Sequence, residues 1–188
     1  MVDAIVRTGA FASLATRSPS CPAAELRPLP PEAKFVFRGR GDAVVAAGRA
    51  LGFALPGDVC RAATHDSHAA LWLGPDEWLL IVPEALEQDM TQAVATALSG
   101  LPHALVAVGN RNAGVELSGA QAATVLAAGC PLDLDLEAFP VGICTRTVLG
   151  KAEIILWRIA PETFRIEVWR SFAAYAWRFL DEARDEFR

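Results

Sequence analysis

The thirteen residues LWLGPDEWLLIVP, Leu71 to Pro83, decide how this chain is read. Two β-rich apolar runs flank Gly-Pro-Asp-Glu, and proline at the first central position with Asp next suits a type I turn, so the stretch reads as a hairpin. A second stretch, ILWRIAPETFRIEV from Ile155, has the same plan. Trp72 stands 85 residues before Trp157. Pro75, Trp78 and Val82 stand 86 before Pro161, Phe164 and Val168, as if one inserted residue separated the two registers. Upstream, GDAVVAAGRALGF from Gly41 resembles GAQAATVLAAGCP from Gly119, and Cys60 and Cys144 precede the two hairpins at similar distances. The pattern implies an internal duplication. The fold class expected is α+β, with two related strand-helix-hairpin-helix halves whose antiparallel sheets pack with helices.

Three segments follow. Residues 1–33 form a Pro-rich N-terminal arm, with five prolines between Ser18 and Ala33 favouring extended backbone. Residues 34–103 form the first half and 104–188 the second, the two making one compact unit. Ser118, Asp42 and Ser171 are expected helix N-caps, and Gly129 a left-handed helix end. Pro83 to Leu98 offers a weakly patterned helix. In the last helix, Phe172, Tyr175, Ala176, Phe179, Leu180 and Ala183 make an apolar stripe at helical spacing.

The two hairpins differ on one face. Phe164, Ile166 and Val168 alternate with Arg165 and Glu167, as in a half-buried strand. In the first copy the alternate positions are Leu79 and Ile81, apolar on both faces. Something must cover them: the other half, the N-terminal arm or another subunit.

Composition points the same way. Of 188 residues, 53% are hydrophobic and 21% charged, with mean hydropathy +0.29. That is apolar for a free-standing domain, yet no run approaches the roughly 18 residues of a membrane span. Burial against partner proteins accounts for the excess. A net charge of −5 without a basic stripe excludes nucleic acid. The N-terminus lacks an export core, so a cytoplasmic chain with four reduced cysteines is expected. Cys130 and Cys144 read as small buried hydrophobes.

The search for chemistry returns no site. Cys60, His65, Asp66 and His68 sit in and near a short turn that cannot aim three metal ligands at one point. His103 has no nucleophile or orienting carboxylate with it. Gly39-x-Gly41 lacks the third glycine of a dinucleotide fingerprint, and Gly109 to Gly114 reads as a turn, not a phosphate loop. Asp133, Asp135 and Glu137 alternate with leucines as a solvated loop.

WLGPDEWLL (Trp72 to Leu80), VELSGAQAATVLAAGCPLDL (Val115 to Leu134) and FRIEVWRSFAAYAWRFL (Phe164 to Leu180) together resemble the gamma-subunit family of heterotetrameric sarcosine oxidase, and more distantly the folate-binding aminomethyltransferase-type domains. The resemblance covers about Phe35 to Ala183. It implies a complex with alpha, beta and delta subunits that demethylates sarcosine to glycine. The complex would pass the one-carbon unit to tetrahydrofolate and form hydrogen peroxide. FAD, FMN, NAD, tetrahydrofolate and zinc would lie on other subunits, with no catalytic, cofactor or metal residue on this chain. Leu79, Ile81, Trp169, Arg170, Trp177 and Arg178 are the subunit-contact candidates, because Trp and Arg anchor interfaces most often. Two alternatives stand beside this one. The first is a stand-alone folate-binding protein using Glu116 or Asp133. The second is a module that self-associates when isolated.

Overall fold

The computed structural model describes residues 9–188, so the first eight residues of the expected arm lie outside the described residues. Two five-stranded antiparallel sheets stand face to face, with helices on their outer faces. The first sheet contains β2 (Glu32–Gly39), β3 (Ala62–His65), β4 (His68–Gly74), β5 (Glu77–Pro83) and β6 (His103–Ala107), in the order β3-β4-β5-β2-β6. The second contains β1 (Glu25–Pro28), β7 (Asn112–Ser118), β8 (Cys144–Leu149), β9 (Ala152–Ala160) and β10 (Thr163–Trp169), in the order β1-β7-β10-β9-β8. Helices α2 (Asp42–Leu51) and α3 (Glu87–Ala97) cover the first sheet, and α4 (Ala122–Ala127) and α5 (Ala173–Ala183) the second. A single turn, α1 (Ala12–Ala15), precedes β1.

Each half is a βαββαβ unit with an added edge strand, β3 or β8. In the first half β2, α2, β4, β5, α3 and β6 follow one another. In the second, β7, α4, β9, β10 and α5 follow, but the sixth element is β1 from the N-terminal segment. β1 pairs with β7 as β6 pairs with β2. The arm is thus folded into the second half. Leu26, Ala24, Cys21 and Phe11 are buried in that half's core, and Arg184, 1% exposed, donates to the carbonyls of Ala24 and Pro19. β6 also carries the first sheet past residue 103, so the halves meet in the turn between β6 and β7.

The hairpins repeat at a uniform offset, not with the inserted residue read from the tryptophans. Trp72 pairs with Trp78, and Arg158 with Phe164. Arg158, not Trp157, is therefore the counterpart of Trp72, and Trp157 replaces Leu71. Both hairpins break register at equivalent places, between Trp72 and Gly74 and opposite Thr163 and Phe164.

Local capping departs from expectation. Ser118 belongs to β7, and α4 starts after Gln121. α2 starts at Asp42 with Gly41 before it at φ +54°. Ser171 lies in a short 3-10 turn leading to α5 and makes no cap bond. Gly129 is needed for space, since a Cβ there would come 2.5 Å from the Phe179 ring. α5 is rotated from the expected stripe: Ala173, Ala176, Trp177 and Leu180 face the core, and Phe172 is exposed.

Trp177 is 1% exposed, packs its ring at a tilt against Phe11 and donates its indole N–H to Ser18. Its place is the internal core, which removes it from the subunit-contact candidates. Trp177→Ala is therefore expected to cost ~3–5 kcal/mol of folding stability, read as a lowered melting temperature of the isolated chain.

Candidate functional site

β2 and β10, near the middle of their sheets, turn alternate residues toward each other. Ala33, Phe35 and Phe37 of β2 face the helices, as do Phe164, Ile166 and Val168 of β10. The period of two then sends Glu32 and Lys34, and Arg165 and Glu167, into the space between the sheets. The Lys34 ammonium lies 2.7 Å from Glu167 and 3.7 Å from Glu32. Arg165 grips Glu167 at 2.7 and 3.0 Å and takes both oxygens of Glu32 in a bidentate pair. Two cations and two carboxylates thus form one neutral network, with Lys34 3% and Glu167 2% exposed.

Burial opposes charge on Glu167, but Arg165 and Lys34 outweigh it and hold the carboxyl below the usual carboxylate range. The same carboxylates raise Arg165 above its ordinary value against its own desolvation. Gly114 of β7 lies beside the network, where a Cβ would sit 2.8 Å from Glu167 Oε1. A cleft of about 60 Å³, lined in part by Phe11, Pro30, Lys34 and Gly114, flanks the network. It has room for a few waters.

Beside the charges the sheets close on apolar groups. Leu71, Leu79, Ile81, Val108, Cys144 and Ile155 form the inter-sheet core, with Trp157 packed against it. Leu79 is 0% and Ile81 2% exposed. The other half of this chain covers them, so neither reaches a partner, and both leave the list of contact candidates. Burial also pushes the Cys144 thiol up to about 12, with Cys60 nearby contributing.

Trp169, Arg170 and Arg178 stand at the surface. Trp169 is 42% exposed, and the Arg111 guanidinium lies 5.3 Å from its ring centre. The adjoining Arg170 amide donates to the Arg111 carbonyl, and Phe172 is 39% exposed beside it. Arg178 lies further along α5.

The remaining sequence candidates do not converge. His65 and Asp66 form an exposed contact at 3.6 Å in the β3–β4 turn, and no cluster of three metal-binding side chains occurs among the described residues. His103 opens β6, its ring bonded to the Leu101 carbonyl. Glu116 is held by Arg27 at 2.9 Å, and Asp133 accepts the Asp135 amide. No described helix is long and apolar enough to cross a membrane.

The sequence profile described as "Sarcosine oxidase, gamma subunit family" matches residues 40–186. A sarcosine oxidase subunit gamma from an Arthrobacter species is 35% identical over 150 residues, covering 78% of this chain and 71% of that protein. A chain of the heterotetrameric sarcosine oxidase from Corynebacterium sp. U-96, solved with pyrrole 2-carboxylate, superposes with a TM-score of 0.88 at 29% identity over 96% of both chains. The aminomethyltransferase T of the Bartonella henselae glycine cleavage system shares the fold alone. Its TM-score is 0.64 at 16% identity, over 94% of this chain and 52% of that one.

The network predicts a pH signature. The folded pKa of Glu167 is depressed, so its contribution is fully present above the ordinary Glu value of roughly 4.3. It is lost as pH falls through the lower folded value. Glu167→Gln leaves two cations short of a partner and is expected to cost about 3–5 kcal/mol near neutrality. Melting curves between pH 3 and 7 are expected to fall less steeply with acid in the variant than in the parent.

Proposed function

The chain belongs to the sarcosine oxidase gamma-subunit family, and we propose that it acts as the non-catalytic assembly subunit of a heterotetrameric sarcosine oxidase. In this reading alpha, beta and delta subunits carry FAD, FMN, NAD, tetrahydrofolate and zinc. The complex demethylates sarcosine to glycine, passes the one-carbon unit to tetrahydrofolate and releases hydrogen peroxide.

The observation that carries the reading is the superposition along 96% of both chains on a chain of a heterotetrameric sarcosine oxidase. The chemistry of the interior supports it. Glu32, Lys34, Arg165 and Glu167 satisfy one another. A general acid or base instead needs a proton it can exchange with substrate near working pH, and Glu167 is held ionised far from neutrality. The buried polar groups hold the halves together. The folate-binding alternative loses its two carboxylates to Arg27 and to a loop amide. Trp169, Arg170 and Arg178 remain the contact candidates on the surface, since exposed Trp and Arg are favoured interface anchors.

Affinity capture of the tagged chain from its host is expected to bring down larger chains, with flavin absorption in the eluate. A colourless single chain would overturn the reading, and titration with a reduced folate would then test the binding alternative.

A further inference from the structure

Two five-stranded sheets have four edges, and three are closed or protected. The β3 and β8 edges are stitched to each other: Arg61 bridges Ile143, the Cys144 amide donates to the Cys60 carbonyl, and the Ala62 amide donates to Gly142. The β1 edge carries Glu25 and Arg27 and ends in Pro28, the charge and proline that discourage pairing. The fourth edge, β6, reads HALVA and has neither an acidic or lysine/arginine side chain nor a proline.

Among the described residues β6 pairs only with β2. The Val108 amide donates to the Lys34 carbonyl, which fixes the alternation of the ladder. Ala104 and Val106 therefore turn their backbone groups toward β2, and His103, Leu105 and Ala107 present theirs to the open side. Val106 is 55% exposed, and Ala104 and Ala107 are exposed beside it.

One end of this edge is basic. An open groove there is lined by Arg38, Gly39, Arg40, Asp76, Pro102, His103 and Ala104. Arg38 and Arg40 share the carboxylate of Asp76 at 3.0 and 3.1 Å, and Glu77, 3.9 Å from Arg38, is paired with Arg146, which sets three cations against two carboxylates on a chain of net charge −5. The Arg40 side chain is 80% exposed.

Resting on the assembly reading above, we propose that β6 is a docking edge that receives an extended, acidic segment of a partner subunit as a sixth strand of the first sheet. Backbone groups of His103, Leu105 and Ala107 make the main-chain bonds, as in other strand additions. Arg38 and Arg40 receive the segment's carboxylates. A second copy of this chain is a poorer occupant. Five residues paired edge to edge bury far less than the ~800 Å² per partner of a stable dimer, and self-pairing leaves the arginine end without added carboxylates.

Three variants of the full chain, co-expressed with the complex, test this. Ala107→Pro removes an outward amide without breaking the β2 ladder, Val106→Lys places charge on the exposed edge, and Arg40→Glu reverses the groove. Each is expected to lower the tagged complex recovered by roughly tenfold, the effect of one or two lost hydrogen bonds. The melting temperature of the isolated chain should stay at the parent value. Arg40→Glu should also remove the salt dependence of recovery. Wild-type assembly with Ala107→Pro and Val106→Lys assembling equally well overturns strand addition and leaves the assembly reading intact. A wild-type chain that captures no larger subunit sinks both. A wild-type homodimer in light scattering that Val106→Lys converts to monomer makes a second copy the occupant and overturns the proposal.

Discussion

The fold depends on four charged side chains that meet between the two sheets, three of them buried and Glu32 half-buried. Glu32 and Lys34 come from one half, Arg165 and Glu167 from the other, and each cation touches both carboxylates. Such a network is a poor source of net stability, because desolvating four charges offsets most of their attraction. Its effect is on specificity. A one-residue slip of β2 or β10 would send two charges into a helix-facing core of Phe35, Phe37, Phe164 and Ile166. The network thus fixes the register of both sheets and the way one sits on the other. Gly114 belongs to the same constraint, since a side chain there would displace Glu167.

The duplication explains why the network is lopsided. At the offset set by hairpin pairing, Arg165 and Glu167 stand where the first half has Leu79 and Ile81. Exact repetition would leave either four apolar residues or four charged ones on the two inner faces. The chain instead places its charges on one member of each pair of equivalent strands, β2 and β10. It leaves β5 apolar to pack on Ile155, Cys144 and Trp157. The same divergence puts Arg158 where the first half has Trp72. Its guanidinium lies 4.5 Å from the Phe164 ring centre and donates to the carbonyls of Leu134 and Phe139, holding the acidic loop before β8.

Much of this was legible in the sequence. The hairpins, their helices and the α+β class follow from apolar period and turn residues, signals that are local. Helix caps are not legible in the same way, because Ser118 and Ser171 satisfy cap preferences while their backbones belong to a strand and a 3-10 turn. The inserted residue came from aligning Trp72 with Trp157 by identity, and only cross-strand pairing exposes the true register. The site was the harder part. Arg165 and Glu167 alternate with apolar residues as a solvated face does, and nothing local distinguishes water from a second sheet. Lys34 in EAKFVF was the available signal: a charge amid strand residues, in register with Glu32, asks for a buried counter-charge.

The N-terminal segment shows why sequence order misleads about domains. Its prolines favour extended backbone, and in sequence order the segment stands as an arm ahead of both halves. Yet the place beside β7 is filled from outside the second half, and without β1 the ladder of β7 would stand open beside a core short of Leu26 and Cys21. β1 comes from the far end of the chain, and Pro28 sits where the ladder ends. The two halves are therefore closed in opposite senses, the first from its own C-terminus and the second from the chain's N-terminus. Because the path runs from the second sheet into the first and back, neither half can leave without breaking β1 from β7 or the charges between β2 and β10. The halves answer for each other's strands, and the apolar face of β5 is part of the surface they bury together.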